Sequence, residues 1–354
     1  MHYLHNLHSS CASANTHVFS QIIIDYITKV STRKYIRTLL GMLLLCYNLG
    51  ERHLKKRHFM TTNTSLKPLL AIVCVNFIWG FDFIAIEYMM GFMSPAVFTL
   101  IRLLIGVIVL TAGVFILKGG PHFRREDMPR IFFSGAIGMA AYFTIENLGT
   151  GLTSASFSSL IMATVPIFGM FGDRIFFGNK ITPLKVICII ASILGVFLLV
   201  SGEPMGISTL GVIAMFAAAI SWTCYLVLVK PLYDKYDLLT LMTGLFYSGT
   251  IVQIPTVIIS QAITHTPVTL TPTGIIVTLA TSIVCIIMGE FGYVYAVGKL
   301  STTLVAAFEN VLPVTAVIFS IFIFGKILTA TQIIGGVIIL IAVTTIAFLE
   351  RNKE

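Results

Sequence analysis

Three stretches of this chain, 204–229, 238–264 and 327–349, each run the width of a bilayer without a charged residue. A hydrocarbon layer of ~30 Å needs about 20 apolar residues in a helix. In lipid, only helices and closed barrels satisfy every backbone N–H and C=O group. The apolar runs are continuous and do not alternate with period two, which excludes a barrel. Charge is scarce elsewhere too: 11% of the 354 residues are charged and the mean hydropathy is +0.94, whereas a soluble chain carries about 25% charged residues. The fold class expected is an all-α polytopic membrane protein.

Ten spans can be marked from Leu66 onward, at roughly 68–89, 94–117, 130–148, 152–177, 183–201, 209–229, 238–260, 272–297, 300–325 and 330–349. The net charge of +8 does not argue for nucleic acid, because Lys and Arg sit in the short loops as orientation signals do. With the N-terminus inside, the inner loops hold Lys118, Arg124, Arg125, Arg130, Arg174, Lys180, Lys230, Lys235 and Lys299. The tail adds Arg351 and Lys353, and the outer loops hold only Lys326. Both termini are therefore expected in the cytoplasm, in a multi-pass protein of the cell (inner) membrane.

The chain also repeats itself. Shifted by 301 − 154 = 147 positions, Ser301–Thr329 falls on Ser154–Thr182, with Ser301 on Ser154, Pro313 on Pro166, Phe324-Gly325 on Phe177-Gly178 and Thr329 on Thr182. Few positions are identical, and what persuades is the shared order of small polar start, apolar run, proline, Phe-Gly stop and Thr restart. Two units are expected, 66–201 and 209–349, with five helices each. An odd number of spans per unit places the second upside down relative to the first, the layout of many secondary transporters. Small residues four apart, such as Ala191 and Gly195, Ala214 and Ala218, or Gly292 and Ala296, let helices approach closely. Residues 1–59 differ in kind: they carry six of the eight histidines and the basic run ERHLKKRH. They read as a disordered or mis-called extension, with Met60 as the natural start.

Three local motifs add to this. The first span carries Asn76-Phe77-Ile78-Trp79-Gly80-Phe81, the second Phe98-Thr99-Leu100-Ile101-Arg102, and the sixth Ala219-Ile220-Ser221-Trp222. With the paired Pro166 and Pro313 segments, they resemble the EamA-type transporters of the drug/metabolite transporter superfamily. The resemblance spans about 66–349 and implies ten helices around a central cavity, with export or exchange of small metabolites, often amino acids. It has departures. Where the family often has Gly-Glu, this chain has Gly178-Asn179 and Gly325-Lys326, and where Glu often precedes the ninth-span proline, it has Leu312, with the acid at Glu309.

Ionisable groups inside spans are costly and mark function by default. Arg102 lies about 12 Å from the outer side at ~1.5 Å per residue, with Asp82 at similar depth in the neighbouring span and Glu87 one turn further out. The pairing Asp82–Arg102 or Glu87–Arg102 follows, and a structural pair and a substrate or gate role stand even. Glu290 and Glu309 form a second layer about 10–13 Å from the inner side. A proton site, recognition of a substrate cation and helix-end capping all remain open for them. Glu146-Asn147 reads as an exposed turn at the outer end of the third span. Asn76, Trp79, Tyr142, Trp222, Tyr225, Tyr293, Tyr295 and Asn310 complete the cavity candidates. Trp79 and Trp222 lie deeper than an interfacial aromatic belt. Pro166 and Pro313, each removing a helical hydrogen bond, are hinge candidates.

Cys74, Cys188, Cys224 and Cys285 lie in apolar runs without a C-x-x-C pair and read as small buried hydrophobes. No phosphate loop, zinc motif or nucleophile elbow occurs, so neither an enzyme nor a cofactor or metal site is expected. The partners expected are a small-molecule substrate and the lipid bilayer, with a homodimer left open. The function expected is a secondary transporter working by alternating access, with proton coupling open. A nucleotide-sugar or sugar-phosphate exchanger and a non-transporting lipid-handling or scaffold protein are the alternatives.

Overall fold

The computed structural model describes residues 66–165, 167–168, 183–201, 208–297, 311–325 and 328–351. The expectations for residues 1–59, Pro166, Glu309 and Asn310 lie outside the described residues. Every regular element among the described residues is helical. The first five are α1 (Leu66–Met89), α2 (Pro95–Lys118), α3, α4 (Ala155–Met162) and α5 (Pro183–Ser201). They are followed by α6 (Thr209–Val229), α7 (Leu238–Thr264), α8, α9 (Val311–Phe324) and α10 (Ala330–Arg351). Two of these are composite. α3 runs through Met128–Gly135, a π-helical Ala136–Tyr142 and Phe143–Leu152; α8 through Pro272–Ala280, a π-helical Thr281–Met288 and Gly289–Val297.

Local chemistry sets the boundaries. Asp237 precedes α7 and its carboxylate accepts the Thr240 N–H at 3.0 Å; Thr271 precedes α8 and its hydroxyl accepts the Gly274 N–H at 3.0 Å. Both side chains satisfy donors that a helix start leaves without an intrahelical partner. At α4 the cap is doubled. Ser154 accepts the Phe157 N–H, and Glu87, reaching across from α1, accepts the Ala155 N–H at 2.8 Å.

Among the described residues, six helical stretches are long and apolar enough to cross a membrane: Lys67–Met89, Pro95–Lys118, Arg125–Leu152, Thr209–Val229, Leu238–Thr264 and Pro272–Ala296. The distribution of side chains is that of a multi-pass membrane protein. Large apolar groups face outward along whole helices, as with Ile187, Ile190, Leu194 and Phe197 of α5 or Ile251, Ile258 and Ile263 of α7. Asn76, Asp82, Arg102, Glu146, Asn147, Gln253 and Glu290 are buried. Water would punish that arrangement, whereas hydrocarbon favours it.

The N-terminal and C-terminal stretches interlock and do not stand side by side. α1 packs on α8 and α9, α6 packs on α3 and α4, and α2 packs along α7. α5 and α10 pair with each other, with Gly195 close against the Gly335 carbonyl and Ile339. The interior is thus built from the first four helices of each stretch.

Candidate functional site

The interlocked helices enclose a cavity with about 60 Å³ open to water centres, several times the ~10–15 Å³ that one water needs on this measure. α1 contributes Trp79, Asp82 and Phe83, α3 contributes Tyr142, Phe143 and Glu146, and α6 contributes Trp222. α8 supplies Cys285, Ile286 and Glu290 and α9 supplies Leu312, while Met162, Ala163 and Val165 close one side.

Asp82 and Arg102 are a pair, and Glu87 is not Arg102's partner. Arg102 Nη2 donates to both Asp82 carboxylate oxygens at 2.8 and 2.6 Å, and the Arg102 side chain is wholly buried. Its guanidinium carbon lies 5.1 Å from the Phe98 ring centre and 5.6 Å from that of Phe143. Arg102 therefore sits behind Asp82 between two rings, with Nε and Nη1 lacking a hydrogen-bond partner among the described residues. Glu87 serves α4 instead, through its cap on the Ala155 N–H.

Glu146 corrects the reading of an exposed turn. It is only 4% exposed, lines the cavity and accepts the Tyr142 hydroxyl at 2.5 Å. The helix continues to Leu152 beyond it, and the π segment before it widens the turn that sets its facing. Asn147 is buried as well and donates to the Thr99 hydroxyl at 2.9 Å.

The aromatic candidates converge. Tyr293 stacks on Trp79 with ring centres 5.3 Å apart; Trp79 meets Trp222 edge-on at 6.2 Å; Trp222 contacts Tyr142 at 4.8 Å and Tyr225 at 5.0 Å. These separations are in the range where aromatic pairs attract. One aromatic wall thus runs from α8 through α1 and α6 to α3. Trp79, Tyr142 and Trp222 line the cavity, while Tyr225 and Tyr293 back them. Asn76 stands away from the lining. Its Nδ2 donates to the Ile72 carbonyl at 2.7 Å, and its backbone carbonyl accepts the Thr315 hydroxyl of α9 at 3.0 Å. Pro313 is buried in α9 next to Leu312, which lines the cavity.

The sequence did not disclose the π segments, which occupy the third helix of each stretch. A π turn leaves carbonyls out of the α ladder, and such turns cluster at functional sites. Here two of those carbonyls receive donors from the first helix of the other stretch. Trp79 Nε1 of α1 donates to the Cys285 carbonyl at 3.1 Å, and the Ser221 hydroxyl of α6 donates to the Ile137 carbonyl at 3.1 Å. Glycine makes room at both places. A Cβ on Gly138 would lie 2.3 Å from the Tyr225 ring, and one on Gly289 would lie 2.5 Å from Trp79 Nε1. Cys285, read as a small hydrophobe, matters here through its backbone.

A second recess, of about 500 Å³, opens where the α2–α3 and α6–α7 connections meet. Lys118 pairs with Asp237 at 2.9 Å, Lys235 with Asp127 at 2.5 Å, and the Tyr236 hydroxyl donates to Asp127 at 2.8 Å. Burial pushes the Asp237 carboxyl up, but hydrogen bonds from Lys118 and from Thr240 outweigh it and hold the group below its ordinary value.

The sequence model of the EamA-like transporter family matches residues 66–201 and again 209–348. An uncharacterized transporter of Archaeoglobus fulgidus is 27% identical over 78% of this chain and 98% of its own length. A probable terminal-alkyne amino-acid exporter of Streptantibioticus cattleyicolor is 25% identical over 81% of this chain and 96% of its own. A probable amino-acid metabolite efflux pump of Escherichia coli is 23% identical, covering 79% and 93%. A solved crystal structure shares the fold at a TM-score of 0.56 with 15% identity, covering 80% of this chain and 97% of that one.

Proposed function

We propose, because this chain belongs to the EamA-like transporter family, that it is a secondary carrier exporting or exchanging a small polar or amphipathic metabolite, amino-acid-like in character. It would work in the cytoplasmic membrane by alternating access, as two inverted five-helix units rock about a shared chamber, with both termini in the cytoplasm. The observation that carries this reading is the cavity itself: its wall is drawn from α1, α3 and α4 on one side and α6, α8 and α9 on the other, and it holds buried carboxylates. Intramembrane acids mark substrate and proton pathways, and carriers of this layout bind at the interface of their repeats. The names of the amino-acid exporters among the relatives point the same way.

The reciprocal capping of the π segments supports a repeat. Each first helix holds the third helix of the other unit by one side-chain hydrogen bond, so sliding at those contacts would open the chamber to either side. A nucleotide-sugar or sugar-phosphate exchanger fits less well, since phosphate recognition uses Arg or Lys and the described residues of the lining include neither. The test is flux in vesicles reconstituted with the purified chain and preloaded with amino acids and related metabolites. Saturable counterflow of at least one of them is expected. Vesicles that exchange nothing across the panel would favour the scaffold alternative.

A further inference from the structure

We infer that Glu146 is a proton-binding site: its carboxyl holds a proton while the chamber is closed and yields it to water when the chamber opens. This deepens the transporter reading and rests on it for the chamber opening to each side in turn.

Glu146 lies on α3, is buried and forms part of the lining. Among the described residues its hydrogen-bond partner is the Tyr142 hydroxyl at 2.5 Å, one turn back on the same helix. An ionised carboxylate buried with one neutral donor is costly, and such groups neutralise instead. Asp82, on the same chamber, is differently placed, because Arg102 Nη2 donates to both of its oxygens. That guanidinium is committed to α1. Glu87 also points elsewhere, to the Ala155 N–H at the start of α4.

The helices packed around α3 bring little else that ionises. α4, α6 and α7 carry no Asp, Glu, Lys, Arg or His in their sequences. Tyr225 of α6 stacks on Trp222, and the Tyr247 hydroxyl of α7 is bonded to Thr111. Across the chamber, α8 presents Cys285 and Glu290. The same geometry lets the proton leave. The Tyr142 hydroxyl can donate to either form of the carboxyl, and 2.5 Å is a length typical of a hydroxyl bonded to a carboxylate. One strong donor thus stands ready for the anion. The closed chamber has room for only a few waters, and bulk water entering an opened chamber completes the shell. In that step the carboxyl O–H bond breaks, its electron pair stays on the Glu146 oxygen and the proton passes to water on the open face. Uptake on one face and release on the other ties the rocking of the units to a pH difference.

Infrared spectroscopy of the full chain in lipid nanodiscs reads this proton directly, because a protonated carboxyl has a C=O stretch that an ionised one lacks. Near neutral pH the wild type is expected to show a carboxylic-acid band that moves on isotopic labelling of glutamate. Tyr142→Phe should displace that band by removing its hydrogen bond, and Glu146→Gln should remove it. Glu146→Asp, which keeps the carboxyl and shortens the side chain, should displace it and decides the matter if the neutral variants fail to fold. A wild type without a glutamate-labelled acid band would overturn the inference with no variant needed. So would a band that these substitutions leave unchanged. Flux in vesicles under an imposed pH difference tests the coupling: Glu146→Gln is expected to abolish the response of flux to that difference, and a response kept in full would overturn it. The two readings fail separately. An acid band at Glu146 in a chain that carries nothing leaves the proton site standing and removes the carrier. Saturable flux with no such band does the reverse.

Discussion

Replacing Arg102 with Met tests how the interior tolerates its charges. Arg102 is wholly buried, and both oxygens of Asp82 take its Nη2 at 2.6–2.8 Å. At an effective dielectric of ~20, unit charges ~4 Å apart attract by about 4 kcal/mol. Removing one partner of a buried pair destabilises by about 3–5 kcal/mol, because the other is left without compensation. Loss of the cation between the Phe98 and Phe143 rings adds about 0.5–2 kcal/mol, part of which the Met sulfur recovers against the same rings. Arg102→Met alone should therefore cost about 3–5 kcal/mol. Asp82→Asn together with Arg102→Met should cost only about 1–2 kcal/mol, since no uncompensated charge remains. The assay is a double-mutant cycle on unfolding in mild detergent, complemented by melting in nanodiscs. Asp82→Asn alone leaves Arg102 uncompensated and should likewise cost about 3–5 kcal/mol, so a coupling of about 4 kcal/mol or more is expected. Additive single effects would refute the view that Arg102 is there to answer Asp82.

Three other perturbations follow from particular contacts. Gly138→Ala and Gly289→Ala each drive a methyl into a side chain, the Tyr225 ring or the Trp79 indole. Each should lose about 1–3 kcal/mol of stability and shift tryptophan emission, whereas Gly325→Ala, whose Cβ would meet no described atom within 4 Å and whose cost comes from its φ of 64°, should leave that emission unchanged. Glu87→Ala removes the carboxylate that caps the Ala155 N–H and should cost about 1 kcal/mol by melting. Asp237 is held below its ordinary value, so its ionised form stabilises the fold above the ordinary carboxylate range, and that contribution is lost as pH falls through the folded value. Asp237→Asn should accordingly flatten the fall in melting temperature between about pH 5 and pH 3.

Much of the frame was legible because lipid simplifies the code. Charge-free runs a bilayer long mark helices with little ambiguity, and opposite charges at one depth in neighbouring helices, as with Asp82 and Arg102, have few other places to go. Trp79 and Trp222 stood out by depth alone. The π segments were not legible: in Ala136–Tyr142 and Thr281–Met288 nearly every residue is apolar or small, so hydrophobic periodicity has no contrast from which to read the turn. That silence misplaced Glu146, which was put at an exposed end when the helix in fact continues to Leu152. The signal that could have found it is Tyr142, four residues earlier, whose hydroxyl meets Glu146 across one turn. Glu87 gave no sequence sign that it caps a helix 68 positions away; long-range capping of this kind depends on how α1 and α4 pack.

The proposed inverted arrangement of two five-helix units is tested most directly by their sidedness. Reporter tags placed after Gly202, at the joint between the units, and after Lys353, at the tail, should be detected on opposite faces of the membrane, with the tail in the cytoplasm. Both tags on one face would contradict the inverted repeat and the alternating-access carrier built on it.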